Sequence, residues 1–120
     1  MLKISLDEGY IFDMLAILEI KSKIFTGHKY DKAVESMTIM SNEIISQIGK
    51  DKFDQITSSD EYQNLFNANK KVFELIDLAK TSDGLSKDTD DANYERYLKK
   101  VDLQKKFFND NIFEVKNKED

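Results

Sequence analysis

Cysteine, proline and tryptophan are all missing from this chain of 120 residues. Without cysteine there is no disulfide, no thiol nucleophile and no thiolate metal site. Without proline nothing forces a kink, so long uninterrupted helices are open to the chain. His28 is the single histidine, so no His-based metal centre or catalytic triad can assemble within one chain. A glycine-rich phosphate loop is also missing. Arg96 is the single arginine, and arginine is the usual bidentate reader of phosphates and base edges. The net charge is −5, with lysines dispersed among the acids, which leaves no electrostatic footprint for nucleic acid. No apolar run reaches membrane-spanning length, because Asp13, Glu19 and Lys21 interrupt the best candidate. No basic stretch leads to a cleavage site, so the expectation is a cytoplasmic chain with neither a nucleic-acid nor a membrane partner. Heavy use of lysine, asparagine and isoleucine points to an AT-rich genome, that of a low-GC bacterium or its phage.

What the chain does have is helical periodicity, on a length that suits one domain spanning 1–120. The richest stretch is Ser5 to Phe25. Ser5 and Glu8 have capping-box spacing, Asp7 and Glu8 suit the positive end of the dipole, and Gly27 supplies a stop. At about 100° per residue, Tyr10, Ile11, Met14, Leu15, Ile17, Leu18, Ile24 and Phe25 share one broad face. A second stripe, Phe12, Ala16 and Ile20, runs along the opposite side. A helix apolar nearly all round is either buried or serves two interfaces. This one is expected over 6–26, either as the buried central helix of a bundle or as a helix with one bundle face and a second stripe for a partner or second copy.

Three more helices are expected. The second, over 29–48, carries Tyr30, Val34, Met37, Met40, Ile44, Ile45 and Ile48 on one face, with Asp31, Glu35, Asn42 and Glu43 outside. Lys50 to Thr57 reads as a linker holding one helical turn. A second capping box, Ser58 and Glu61, opens the third helix over 59–80. Its apolar face runs from Tyr62 through Leu65, Phe66, Val72 and Phe73 to Ile76, with Asn69 in the middle. The loop Thr81 to Asp91 contains the turn signal Asp83-Gly84. The fourth helix, over 90–109, presents Tyr94, Tyr97, Leu98, Val101 and Phe108. Leu103 and Phe107 lie on its far side as a surface patch. Ile112 and Phe113 are expected to pack on the bundle. Four amphipathic segments with short connections define an all-α fold, an antiparallel four-helix bundle.

The polar residues within these faces are the candidates for function. Lys21, Asn69, Gln104 and Lys105 are sent towards the core by three helices. They form either an internally satisfied network or a pocket for a small anion, in which two ammonium groups give charge and two amides give orientation. Asp51 and Asp54, with Glu74 and Asp77, have the paired spacing of magnesium-dependent all-α nucleotide pyrophosphohydrolases. The first pair falls in a linker and Glu74 points away from its apolar face, so no metal site is expected from them. The acids of the Asp83 to Asp91 loop lack the ligand order of a calcium loop.

The first helix resembles a domain-of-unknown-function family of small helical proteins from bacteria and phages. The motif is a glycine, an aspartate four residues on, then Ile-Leu-Glu-Ile-Lys: here Gly9, Asp13 and Ile17-Leu18-Glu19-Ile20-Lys21. Looser similarity runs through Asn69, Tyr97 to Val101 and Phe113-Glu114-Val115-Lys116. Tyr10, Met14 and Ala16 depart from the polar residues common there. The resemblance implies an accessory protein, some members being encoded beside sugar-nucleotide or glycosyltransferase genes. It implies no reaction, and it draws attention to Asp13, Glu19 and Lys21 as a unit, with the two acids flanking the apolar face.

The reading that follows is a non-catalytic interaction or accessory protein without cofactor or metal. Its interfaces with a partner or a second copy are expected at Phe12, Ala16 and Ile20 or at Leu103 and Phe107. The alternatives are a small-anion-binding enzyme or sensor on Lys21, Asn69, Gln104 and Lys105, and a pyrophosphohydrolase-like enzyme.

Overall fold

Helical periodicity unbroken by proline becomes five α-helices in the structure, a computed structural model that describes residues 7–81 and 86–108, with side chains within 7–76 and 87–108. They are α1 Glu8–Ile24, α2 Gly27–Ile48, α3 Lys50–Thr57, α4 Asp60–Thr81 and α5 Ser86–Phe108. No strand occurs among the described residues. Ser5, Asp83, Ile112, Phe113 and Val115, and the side chain of Asp77, lie outside them.

The helix ends obey local chemistry, within two residues of the expected positions except at the start of α5. Asp7, not Ser5, caps α1: its carboxylate accepts from the Tyr10 amide at 2.7 Å. Such a cap contributes about 1 kcal/mol. α1 stops at Ile24, because Phe25 turns extended and donates its amide to the Lys21 carbonyl. Gly27 therefore does not end α1. It opens α2 with a positive φ of 62°, which a side chain would resist. Gly49 closes α2 with φ 93° and leads at once into α3. α4 is capped by Ser59 and not by a Ser58–Glu61 box: Ser59 Oγ accepts from the Tyr62 amide at 3.1 Å. α5 starts at Ser86, so Ser86–Asp91 is helix where a loop was expected.

α1 packs against α2, α4 and α5; α4 packs against α5; and α3 bridges α2 and α4. The hub is Phe12. Its ring meets Phe53 of α3 at 6.3 Å, Tyr62 of α4 edge-on at 6.4 Å and Phe108 of α5 at 6.2 Å. Leu15, Ala16, Ile44, Ile56, Leu65 and Leu103 complete the buried cluster.

This core overturns the expected interfaces. Phe12, Ala16 and Ile20 are 1%, 0% and 4% exposed, so the stripe assigned to a partner is the core face of α1. Leu103 is fully buried, and Phe107 packs against the same cluster. Of the broad face expected in the core, Leu15 is buried and Ile11 packs against the cluster, but Met14 and Ile24 are exposed. Counting apolar residues favoured the wider stripe. The true core face, Gly9-Phe12-Asp13-Ala16-Ile20, holds a charge and a glycine, and both carry a low hydrophobic weight.

Candidate functional site

Steps of four along α5 put Arg96, Lys100 and Gln104 on one side, and that side faces α1. Each of the three has a partner there, and the partners run backwards along α1. Arg96 grips Asp13: Nη2 donates at 2.8 Å, and Nε lies at 3.1 and 3.3 Å from the two carboxylate oxygens. Lys100, 6% exposed, holds its ammonium over the rings of Tyr10 and Tyr97 at 5.2 and 5.9 Å. Gln104 accepts from the Gly9 amide at 2.6 Å and donates to Glu8 at 2.9 Å. This polar seam needs the two backbones close together, and Gly9 permits it. A Cβ there would stand 2.7 Å from the Lys100 carbonyl oxygen.

α4 joins the same network. Asn69 donates its amide to Asp13 at 2.8 Å and to its own helix at Leu65 O, 3.1 Å. Asp13 thus sits fully buried with an arginine and an amide around it. One and a half turns further on, Tyr62 donates its hydroxyl to Glu19 at 3.0 Å. Burial, then the adjacent Glu19 charge, push the Tyr62 hydroxyl far above the ordinary tyrosine range.

The expected quartet does not converge. Asn69 turns to Asp13, Gln104 tends the start of α1, and Lys105 is exposed. Lys21 is half-buried beside Asn69 and Arg96 in a cleft. Asp13 lines the core of α1 and does not flank it. Asp13 and Glu19 both accept from α4, through Asn69 and Tyr62, Asp13 alone also reaches α5, and Lys21 shares no hydrogen bond with either, so the three form no unit. Arg96 and Lys100 were missed. The signal for them was their four-residue spacing with Gln104, opposite the Gly9–Asp13 spacing on α1.

The acidic pairs stay apart too. Asp51, Asp54 and Glu74 are exposed, and Asp54 is held by Lys50 at 2.7 Å. Among the described residues no three His, Asp or Glu side chains gather as metal ligands. His28 is exposed at the start of α2.

Two concavities flank α1. A mainly apolar groove of about 850 Å³ runs between α1 and α2, lined by Met14, Leu18, Ile39, Met40 and Ile48, with Phe108 of α5. A cleft of about 470 Å³ lies between α1, α4 and α5, and Lys21 stands on the ridge between the two. No described helix is long and apolar enough to cross a membrane. Comparison with protein families, characterised proteins and solved structures finds no match.

Proposed function

We propose that this chain is a non-catalytic interaction protein, an antiparallel helical bundle centred on α1, working through the groove between α1 and α2. The observation that carries this reading is where apolar surface is left uncovered. Ile39 is 63% exposed and Met14 is 37% exposed, on opposite rims of a groove with apolar walls. Large apolar side chains gathered around one concavity mark a contact site more often than chance exposure does. A helix laid in such a groove would bury them at three- and four-residue steps.

The polar groups point the same way. Asp13, Asn69, Gln104 and Glu19 each bond to a neighbouring helix, so they serve cohesion and not chemistry on a substrate. The resemblance to small accessory proteins agrees with this, since Gly9 and Asp13 of its motif are the residues that fasten α1 to α5.

A photocrosslinking amino acid at position 39 tests the proposal in cells, with one at exposed Lys71 on α4 as the reference. Position 39 is expected to give a discrete adduct that position 71 does not. Identical patterns from both positions, or no adduct from either, would remove the groove as the working surface.

A further inference from the structure

The cleft on the other side of α1 holds an unbalanced charge. Its polar lining is Lys21, Asn69 and Arg96. Arg96 is paired with Asp13, so their charges offset each other, and Asn69 donates to Asp13 and Leu65. Lys21 has no carboxylate partner among the described residues. The remaining walls are apolar: Ile17, Ile24 and Phe25 from α1 and its end, with Val72, Phe73 and Ile76 from α4. Two of these, Ile24 at 52% and Ile76 at 44%, are left exposed at the rim. A half-buried ammonium among apolar walls is unfavourable without an anion beside it. Its volume, about 470 Å³, falls within the roughly 300–1,000 Å³ of small-molecule sites.

We propose that this cleft binds an amphipathic monocarboxylate, its carboxylate on Lys21 and its hydrocarbon tail along Ile17, Val72 and Phe73, under Ile24 and Ile76. One uncommitted cation suits a monoanion better than a phosphate or a dicarboxylate. The apolar walls exclude a small inorganic ion as the main occupant, since it would leave them bare. The tail covers the two exposed isoleucines, which nothing within the described chain covers. Lys21 and Ile17 border both concavities, and Ile39, which lines only the α1–α2 groove, keeps the two tests apart.

Calorimetric titration with decanoate below its micellar concentration tests the site, with decanol and decyltrimethylammonium as matched tails. Decanoate is expected to bind one per chain, shifting the amide resonances of Val72 and Phe73. The other two should bind roughly tenfold or more weakly, the range of a charge-assisted hydrogen bond. Lys21→Gln should bring decanoate down to the level of decanol without lowering the melting temperature, and Lys21→Arg should restore it. Ile76→Glu should weaken decanoate more than decanol through like charge. Absence of decanoate binding, equal binding by Lys21→Gln, or equally tight binding of the ammonium compound would each overturn the proposal.

Discussion

At position 9 a single methyl group is enough to disturb the molecule. It would stand 2.7 Å from the Lys100 carbonyl oxygen, and a backbone atom has little room to retreat. Gly9→Ala is therefore expected to destabilise the fold by about 1–3 kcal/mol, the usual range for overpacking, read as a lower urea midpoint. The gain in helix propensity from alanine, about 1 kcal/mol, offsets part of this and leaves a net loss of up to about 2 kcal/mol. Four residues on, Asp13 depends on Arg96. Arg96→Met leaves a buried carboxylate without its cation and is expected to lose about 3–5 kcal/mol. The double variant Asp13→Leu with Arg96→Met should recover most of that loss, because no charge is then left buried alone. Equal losses in the single and double variants would mean that packing, not charge, holds this point. Tyr62 gives the pH dependence. Its proton is held more tightly in the folded chain than in the unfolded one, so its contribution is complete below the ordinary tyrosine value of 10.0. It is lost as pH rises past that value, because only the unfolded state releases the proton. Melting temperature should fall above about pH 10, and Tyr62→Phe should flatten that fall. Of these residues, Asn69 stands out in the sequence within its apolar face, whereas Gly9 and Asp13 enter only through the motif of the first helix, with Asp13 expected beside the core. Their partners are not legible there, since Asp13 and Arg96 are 83 positions apart and nothing local joins them.

At the scale of the element, α3 and α5 show where periodicity succeeds and where it misleads. An eight-residue helix is too short to hold itself in water, so α3 owes its form to packing. Ile56, with no exposure at all, supplies most of it. Ile56→Ala is expected to destabilise by about 2–5 kcal/mol and to raise amide exchange through Lys50–Thr57 first. Ile39→Glu, on exposed α2 surface, should stay within about 0.5 kcal/mol of the parent. The sequence suggested only one turn at α3 because its apolar residues, Phe53 and Ile56, mark a single contact. For α5 the apolar count turned the helix the wrong way. Tyr94, expected inside, is 63% exposed, whereas Lys100 is 6% exposed. Three polar residues can face a core only if their partners are polar, and those partners sit on α1, outside any window that reads α5 alone. Four of the helices were legible within a few residues at each end, because their periodic segments are long and no proline interrupts them.

For the whole molecule, the groove raises the question of self-association. Ile39 stands beside the groove that an identical residue would fill in a second copy, an arrangement that a two-fold axis satisfies on both sides at once. Sedimentation at rising concentration is expected to show a dimer that Ile39→Glu returns to monomer. Monomers at every concentration for both chains would exclude self-pairing and direct the search to a different partner. The polar seam between α1 and α5 bears on how the protein is made. Its bonds join residues 83 and 95 positions apart, the first described helix to the last. On the ribosome α1, with a carboxylate and a glycine on the face it must bury, emerges well before Arg96 and Gln104, which follow their partners by 83 and 95 positions. The neighbouring pair α1 and α2 can form in the meantime, but α5 must emerge before it can join α1 and α4. A stalled chain ending before Arg96 would lack the α5 surface that covers Asp13, leaving that face of α1 open, which makes it a natural substrate for cellular quality control.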